Sequence, residues 1–566
     1  MKKIKKIFFL LILLIALVFG SIYFVKNFFF ISKASSSAST ELSLIINNHS
    51  QNINQVWEKH PSPIVQDGGS IIYVPLELLA ETFDVKTDYD SENQIAIITT
   101  KDKVIRFYGT EGKVRINRKI TADIPSMVFY YSQPFVPVSH IREYLHMDSM
   151  FIEETNTVIL TNLGEAKDYA EASKNKSRIR TDSRLLSQVI TILNKGEKLQ
   201  ILGKEGKWLK VLTQKGQIGY IDGEAVDNLS TTKGLEITES IPVWQKETGK
   251  ILLAWEHVHS KNPDTAQIGS MEGVNVVSPT WISLRDEGGS VSHKIDRNYI
   301  QWTKQQNYKV WALFNNQFNP DMTHVFLNDA AARETAVENV LRLIKDYDID
   351  GINIDFENVY LKDKEKLVQF VRELVPVFHE YGLVVSMDVT VKSMTENWSL
   401  CYDRRALGEV LDYMAVMTYD EHWSSSPVSG SVASIGWVER GIRGILEEVP
   451  AEKLLLGIPF YTRIWTETPS EQGIKVSSRA VSMNTVNEIL DRQNLQKQWN
   501  VSAGQYYVEY RTGEKTNKIW IEDSESIQLK TDLVKKYNLG GAAVWRRGFE
   551  TEDIWEVLNK RLNQSK

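Results

Sequence analysis

The stretch from Gly351 to Glu357 alternates strictly between apolar and polar residues, which predicts a β-strand with two unlike faces. Two acids that are two residues apart on such a strand lie on the same face, with their Cα atoms roughly 6 to 7 Å apart. Asp355 and Glu357 are therefore close enough for the charge of one to influence the proton on the other. The two faces carry an apolar set, Ile352, Ile354 and Phe356, and a polar set, Gly351, Asn353, Asp355 and Glu357.

An amphipathic helix is predicted directly after this strand, at about residues 363–380, with Gly382 as its stop. A strand followed by a helix is half of a βαβ unit. In a closed parallel barrel the apolar face of such a strand packs against helices, and the polar face lines the lumen up to the rim where active sites lie. The alternative, which this stretch alone leaves open, is a solvated edge strand with scattered acids. The apolar stripe of the helix comprises Leu367, Phe370, Val371, Leu374 and Phe378.

From residue 248 onward, short apolar runs alternate with helical segments, which is typical of a parallel sheet covered by helices. Eight such runs predict an α/β fold, a TIM (β/α)8 barrel. The gap between the seventh and eighth runs is too long for one helix and contains a hairpin signal around Gly513, so a small α+β insertion is predicted at about 463–538. The eight runs begin at Ile251, Val274, Lys309, Gly351, Val384, Tyr413, Leu454 and Gly541.

An internal repeat precedes the barrel. A segment beginning at Tyr73 aligns without gaps with one beginning at Phe135, and each predicts a short strand, a helix and a second strand. The repeat resembles the duplicated α+β module at the N-terminus of some copper amine oxidases and on many bacterial exported proteins. His140 and His146 are isolated, so we expect no copper site and favour a structural or wall-interaction role. The aligned pairs are Val74 with Val136, Pro75 with Pro137, Phe83 with Leu145, Ile97 with Ile159, and Thr99 with Thr161.

A small β-barrel is predicted between the repeat and the larger barrel, because five short apolar runs are separated by Lys- and Gly-containing turns. Their order resembles the bacterial SH3 module, which often binds cell-wall peptides. Trp208 and Tyr220 form either a ligand platform or the barrel core, and the core is favoured for Trp208. The five runs begin at Ser177, Val189, Lys198, Trp208 and Gly219.

The 566-residue length is that of a multidomain protein, and the mild net charge of −6 gives no reason to expect nucleic acid binding. The single cysteine, Cys401, excludes an intrachain disulfide and a multi-cysteine metal site, and no metal or cofactor is predicted. Cys401 is expected to be a packed thiol.

Four lysines, within residues 2–6, precede an uncharged apolar run at 7–25, which predicts a membrane anchor and an exported, extracytoplasmic chain. A cleaved signal peptide, with a site near Ala34, is the alternative. The predicted division is 1–31 anchor or signal, 32–60 tether, 61–165 duplicated module, 175–230 SH3-like barrel, 231–247 linker and 248–566 TIM barrel.

Polar and aromatic side chains recur at the predicted strand ends. Aromatic rings beneath polar groups suit a sugar, because apolar ring faces stack while hydroxyl and amide groups take hydrogen bonds. Core packing is the competing interpretation for each tryptophan, and ligand contact is favoured most for Trp545. The residues at the rim are Asp355, Glu357, Met417, Tyr419, Asp420, Tyr461, Arg463 and Trp545, with Trp255, Trp281 and Trp311 at or near the ends of the first three strands.

The segment from Asp350 to Glu357 resembles the Asp-Gly-x-Asp-x-Asp-x-Glu signature of glycoside hydrolase family 18. The motifs Met417-Thr-Tyr-Asp, Gly457-Ile-Pro-Phe-Tyr and Gly540-Gly-Ala-Ala-Val-Trp match three later strands of the family in order. The resemblance implies substrate-assisted hydrolysis, in which the N-acetyl group of the sugar is the nucleophile. Glu467 is only a weak candidate for a second carboxylate.

The resemblance also implies a role for each matching residue. Glu357 would donate a proton to the glycosidic oxygen, and Asp355 would orient the acetamide. Tyr419, helped by Asp420, would donate to the acetamide oxygen. Substrate-binding positions are expected at Asn353, Met417, Asp420, Trp545, Tyr461 and Trp281.

Asn353 departs from the signature, which has aspartate there. An amide cannot share a proton, so Asp355 is expected to carry the full charge and the pH optimum to differ from that of a typical chitinase. The same Asn occurs in a branch resembling bacterial cell-wall and spore-cortex N-acetylglucosaminidases. The expected substrate is therefore peptidoglycan, with chitin as the alternative; a non-catalytic lectin and a wall-bound scaffold are competing interpretations.

Overall fold

The computed structural model describes residues 11–23, 42–47, 49–50, 60–83, 85–164, 166–233 and 249–563. It divides into two compact units, Met1–Ser240 and Ile241–Lys566.

The predicted anchor at residues 7–25 lies partly outside the described residues, and its described part, 11–23, is helical. None of the described helices is long and apolar enough to cross a membrane, so the predicted transmembrane helix is not supported. Most of the linker predicted at 231–247 lies outside the described residues.

The two repeats of the first unit pair with each other through their first strands. Ile71–Pro75 and Gln133–Pro137 run antiparallel, with Val74 directly opposite Val136, its equivalent in the repeat alignment. This pairing gives the module an approximate two-fold axis through two fully buried valines. Each first strand is followed by a helix, and the module has three sheets. The helices are Leu76–Thr82 and Val138–Ile141; the sheets are Ile64–Gln66, Ile71–Pro75, Val128–Tyr130 and Gln133–Pro137; Lys86–Asp90, Ile95–Thr99, Val104–Tyr108, Lys113–Ile116 and Lys119–Thr121; and Ser43–Ile46, His49–Ser50, Met147–Ile152 and Thr157–Asn162.

The described part of the predicted tether at 32–60 contains two strands of this module, Ser43–Ile46 and His49–Ser50. Ser43–Ile46 pairs in parallel with Thr157–Asn162 and buries Leu44, Ile45 and Ile46. Leu44 and Ile46 lie in the core of the module, whereas Ile45 packs in a separate cluster with Leu212 of the SH3-like region.

The SH3-like region of the first unit is a seven-stranded antiparallel sheet that contains all five predicted strands. Trp208 is only 7% exposed, as favoured from the sequence, whereas Tyr220 is half-buried and donates a hydrogen bond to Glu205. Two strands were not predicted, Lys167–Ala172 and Val226–Thr232, and they pair with each other. The sheet comprises Lys167–Ala172, Ser177–Arg180, Val189–Leu193, Lys198–Glu205, Trp208–Thr213, Ile218–Asp222 and Val226–Thr232.

The second unit contains a closed barrel of eight parallel strands, which confirms the predicted TIM fold. All eight predicted runs form its strands. The strands are Ile251–Glu256, Val276–Pro279, Lys309–Asn315, Gly351–Asp355, Val384–Thr390, Tyr413–Met417, Leu454–Pro459 and Gly541–Trp545. The helices are Arg297–Gln305, Pro320–Asn328, Ala330–Asp346, Lys364–His379, Arg404–Val410, Ile435–Leu446, Ser524–Lys536 and Asp553–Asn563.

The fourth barrel strand has the orientation that its alternation predicts. Ile352, Ile354 and Phe356 are fully buried, and the Phe356 ring stacks on Phe370 of the following helix with 5.6 Å between ring centres. A Cβ atom at Gly351 would lie 2.6 Å from the carbonyl oxygen of Val384, so a glycine allows the fourth and fifth strands to approach closely. The polar face of the strand therefore points into the lumen.

An α+β insertion separates the seventh and eighth strands, as predicted. Its first strand, Tyr461–Ser470, continues almost directly from the seventh barrel strand, and its sheet packs around the helix Met483–Gln493. The other strands are Gly473–Ser482, Gln498–Asn500, Gln505–Thr512 and Lys515–Ile521.

Candidate active site

Glu357 follows the fourth strand and is held by its backbone. The buried side chain of Asn316, just after the third strand, accepts a 3.2 Å hydrogen bond from the Glu357 N–H and donates a 2.8 Å bond to its carbonyl oxygen. This double contact fixes the backbone from which the carboxyl group projects. Asp355, two residues earlier, ends the strand on the same face.

Asn353 lies one layer deeper and is fully buried. Its Oδ1 accepts hydrogen bonds from Trp255 Nε1 at 2.8 Å and from Ser278 Oγ at 3.1 Å. Its Nδ2 donates to Ser386 Oγ at 3.2 Å and to Asp388 Oδ1 at 2.8 Å. The amide therefore joins four strands beneath the site, and its position is that of a support rather than of a group exposed to substrate.

Three carboxyl groups in the lumen hold their protons more tightly than usual. Burial raises the pKa of Asp355 to about 7. Burial, together with the charges of Asp355 and Asp420, raises the pKa of Glu357 well above its ordinary value. Burial and the charge of Asp355 likewise raise the pKa of Asp388. Glu357 therefore keeps its proton to higher pH than an ordinary glutamate does.

The end of the sixth strand contributes Met417, Tyr419 and Asp420. Asp420 accepts a 2.6 Å hydrogen bond from Tyr461 Oη and lies 3.4 Å from Arg463 Nη2. Asp420 therefore engages residues that follow the seventh strand, whereas the sequence predicted that it helps Tyr419. Burial raises the pKa of Tyr419, so this phenol stays protonated and able to donate. Its ring centre lies 6.1 Å from that of Tyr461, and Met417 is half-buried.

Three family models match the chain. Glycosyl hydrolases family 18 matches residues 261–550, the copper amine oxidase N-terminal domain matches 52–160, and the bacterial SH3 domain matches 177–227. The first match covers just over half of the 566 residues. The chain belongs to glycosyl hydrolase family 18. The other two matches confirm the resemblances of the preceding modules.

One curated relative is the cortical fragment-lytic enzyme of Bacillus subtilis (strain 168), which is 31% identical over 255 residues. The match spans 44% of this chain but 58% of the relative, which is less than two thirds of its length.

Two solved structures share the family 18 barrel. A chitinase from Chromobacterium violaceum is 24% identical, with a TM-score of 0.50 over 56% of this chain and 100% of its own. The spore cortex-lytic enzyme of Bacillus megaterium is 21% identical, with a TM-score of 0.51 over 57% of this chain and 76% of its own. At these identities the two structures support the fold alone.

Fewer tryptophans reach the site of this family 18 barrel than the sequence predicted. Trp545 is half-buried at the end of the eighth strand, and its ring meets that of Trp255 edge-on at 6.1 Å. Trp255 and Trp311 are fully buried core residues. Trp281 is also 1% exposed, and its Nε1 donates to Asn262. The structure therefore brings Trp545 to the site but places Trp281 in the core.

Two residues of the site were not identified from the sequence. Asp388 ends the polar alternation Ser386–Asp388 on the fifth strand, the same signal that identified the fourth strand, and it was overlooked. Asn316 lies outside the family 18 motifs, and only its contacts with Glu357 reveal its role.

Glu467 and Cys401 do not take part in the site as reactive groups. Glu467 is bound by Lys518 Nζ at 2.8 Å and by Ser429 Oγ at 2.8 Å, within and beside the insertion. Cys401 is buried, and burial raises its pKa to about 11, which fits the packed thiol that was predicted.

Proposed function

We propose that this chain is an exported, retaining β-N-acetylglucosaminidase that hydrolyses β-1,4 bonds of peptidoglycan glycan strands with the help of the substrate's own acetamide. The observation that carries the proposal is the pairing of Asp355 and Glu357 at one strand end. Glu357 is a half-buried carboxyl group whose pKa is raised by the loss of solvent around it and by the charge of Asp355. It therefore holds a proton at the pH where a glycosidic oxygen needs one.

The chemistry follows from these two groups and from Tyr419. Glu357 donates its proton to the leaving oxygen while the N-acetyl carbonyl oxygen of the sugar attacks the anomeric carbon. Asp355, whose pKa burial raises to about 7, accepts the acetamide N–H and in its ionised form stabilises the positive oxazolinium that forms. Tyr419 donates to the acetamide oxygen. Glu357, now ionised, removes a proton from water, which opens the intermediate with retention of configuration.

This mechanism needs no second carboxylate as nucleophile, since glycosidases of this family are an exception to the two-carboxylate scheme. The nearest alternative, Glu467, is neutralised by Lys518. Trp545 provides the stacking surface for the sugar.

Peptidoglycan is favoured over chitin because the curated relative at 31% identity is named a cortical fragment-lytic enzyme, and because a bacterial SH3 domain precedes the barrel. The SH3-like module would hold the chain on the cell wall, which would also place the protein outside the cytoplasm. An N-terminal membrane attachment remains part of the proposal only through the sequence pattern at 7–25. Chitin oligomers are the second candidate, because they present the same N-acetylglucosamine unit to the site.

The test is incubation of the protein with purified peptidoglycan and with chitin oligomers, followed by mass spectrometry of the new reducing ends. We expect N-acetylglucosamine at the reducing end of peptidoglycan fragments. Glu357→Gln should reduce the rate roughly 100- to 10,000-fold or more, because the amide has no proton to donate.

Glu467→Gln is the matched control, since it makes the same chemical change in a carboxylate that is paired outside the lumen. A comparable loss in this variant would instead support a two-carboxylate mechanism. Wild-type protein that binds glycans without releasing reducing ends would show a lectin, and full activity of Glu357→Gln would overturn the assigned acid.

A further inference from the structure

A group of basic side chains lies at the rim of the barrel beside Trp545. His257 follows the first strand and Arg546 follows the eighth, and these two strands are paired neighbours. Both residues therefore emerge at the same part of the C-terminal rim. The His257 ring centre lies 6.0 Å from that of Trp545 and 6.3 Å from that of His259. His257 thus lies directly beside the stacking surface.

Lys294 joins this group from the loop after the second strand. Its Nζ donates a 3.1 Å hydrogen bond to the carbonyl oxygen of Val258, and its own carbonyl oxygen accepts one from Asn262 at 2.8 Å. These contacts tie the loop to the segment that carries His257 and His259. We refer to His257, His259, Lys294 and Arg546 as the cationic rim.

The acids near the cationic rim already have partners. Glu256 is bound by the guanidinium of Arg547, and Glu550 accepts the Gly548 N–H. Arg546 is half-buried, with its guanidinium 4.0 Å from the ring centre of Phe549, and within the described part of the chain it forms no salt bridge. Burial and the positive charges of Arg546, His259 and Lys294 lower the pKa of His257, so this ring gives up its proton more readily than an ordinary histidine and Arg546 and Lys294 supply the charge of the rim. Like charges held together in this way favour the binding of an anion from outside.

We propose that the cationic rim binds a carboxylate carried by the glycan next to the sugar that stacks on Trp545. In peptidoglycan this group is the lactyl carboxylate of N-acetylmuramic acid or a carboxylate of the peptide attached to it. Chitin is uncharged and offers neither group. The inference rests on the proposed function, because it names the feature by which that same site distinguishes peptidoglycan from chitin. A guanidinium and an ammonium suit this task, since both donate charge-assisted hydrogen bonds to carboxylate oxygens.

The test measures binding without catalysis, in full-length protein that carries Glu357→Gln. Calorimetric titrations compare four ligands of equal length: muramic acid-containing oligosaccharides with free lactyl carboxylates, the same with these groups converted to methyl amides, the same with peptides attached, and chitin oligomers. We expect the free acid to bind roughly 10- to 100-fold more tightly than the methyl amide, as hydrogen bonds to a charged group allow. Added Arg546→Gln or His257→Asn should bring this ratio towards one, and Arg546→Lys should restore part of it.

Lys560→Gln is the matched control. Lys560 is exposed in the last turn of the helix Asp553–Asn563, so this substitution removes one positive charge that is not part of the cationic rim. It should leave the ratio unchanged. If only the peptide-bearing glycan binds tightly, the peptide carboxylate is the group recognised. Equal affinity of the wild-type rim for the free acid, the methyl amide and the peptide-bearing glycan, or an equal fall in Lys560→Gln and Arg546→Gln, would overturn the proposal.

The outcome is separable from that of the proposed function. Protein that cleaves neither polymer but prefers the acid through Arg546 would refute only the hydrolase. Protein that cleaves both polymers but binds the acid, the amide and the peptide-bearing glycan equally would refute only the role of the cationic rim.

Discussion

Asn353 uses all the hydrogen-bonding capacity that an amide has in this position. It accepts from Trp255 and Ser278 and donates to Ser386 and Asp388. An ionised aspartate keeps the two accepting contacts but loses both donations. From the sequence, Asp355 was expected to be the only charged group next to Glu357. The structure adds a second carboxyl group, Asp388, on the next strand.

The first prediction concerns Asn353→Asp. The new carboxyl group adds negative charge next to Asp355 and Asp388 and so raises the pKa values of the lumenal acids. Because Glu357 acts in its protonated form, activity falls as the pH rises through its pKa, and the basic limb of the pH profile should move to higher pH. The measurement is kcat/KM against pH. A profile that superimposes on that of the wild type would contradict this account of Asn353.

The second prediction separates the charge of Asp388 from its hydrogen bond. Burial and the charge of Asp355 keep Asp388 protonated, so Asp388→Asn should retain activity because an amide oxygen still accepts from Asn353. Asp388→Leu removes the acceptor, leaves a buried N–H without its partner, and should lower activity and stability together. Both variants are compared by steady-state kinetics and thermal unfolding. A loss in Asp388→Asn as large as that in Asp388→Leu would show that the charge of Asp388 matters.

At the scale of elements, a buried ion pair joins two adjacent barrel helices. Arg333, on the helix Ala330–Asp346, contacts Glu373 on Lys364–His379 with 2.8 Å between Nη2 and Oε1, and both side chains are fully buried. Arg333 Nη1 also donates to the carbonyl oxygen of Leu327, and Gln369 donates to Glu373. The pair is therefore enclosed in a hydrogen-bonded network behind the fourth strand.

The third prediction is that Arg333→Met destabilises the barrel by about 3–5 kcal/mol, because it leaves the charge of Glu373 buried without compensation. The double variant Arg333→Met, Glu373→Leu should recover much of that loss. Urea unfolding gives the free energies. Arg342→Met, an exposed position on the same helix, is the control and should have little effect. A double variant less stable than the single one would indicate that the pair itself stabilises the fold.

The elements that the sequence predicted are those with a strong local pattern. The eight barrel strands appear as apolar runs, and the helix predicted at 363–380 is observed at Lys364–His379. Ser43–Ile46 and Lys167–Ala172 were missed because their partners, Thr157–Asn162 and Val226–Thr232, are distant in the chain. Pairing of this kind is a tertiary property that no local period encodes.

The site shows the same division between local pattern and tertiary contact. Alternation placed Asp355 and Glu357 on one face of the strand, and the polar residues at the other strand ends identified that face as lumenal. Alternation did not show that Asn316 holds the backbone of Glu357, since that contact crosses from another strand. Trp281 was expected at the rim because it lies near a strand end. Nearness to a strand end does not tell whether a side chain faces ligand or core, and Trp281 faces the core.

At the scale of the whole molecule, each of the two compact units has its own hydrophobic core. The fourth prediction is that residues 249–566 alone hydrolyse soluble glycan oligomers with the kcat/KM of the full chain, because the proposed catalytic groups all lie in that unit. The same fragment should bind insoluble peptidoglycan more weakly, in a co-sedimentation assay, if the SH3-like module holds the wall. Equal sedimentation of the fragment and the full chain would remove the module from the proposal.

The junction between the insertion and the barrel restricts how this protein can be altered. Glu522, just after the last strand of the insertion, is fully buried and accepts from Gln505 in the insertion and from Lys530 on the last helix before the eighth strand. Removing the insertion would take away Glu522 and leave Lys530 as a buried cation without its carboxylate, a costly state. We therefore expect that the insertion can be removed or replaced by that of a relative only if Lys530 is replaced at the same time. Family members that lack the insertion should have an uncharged residue at the equivalent helix position.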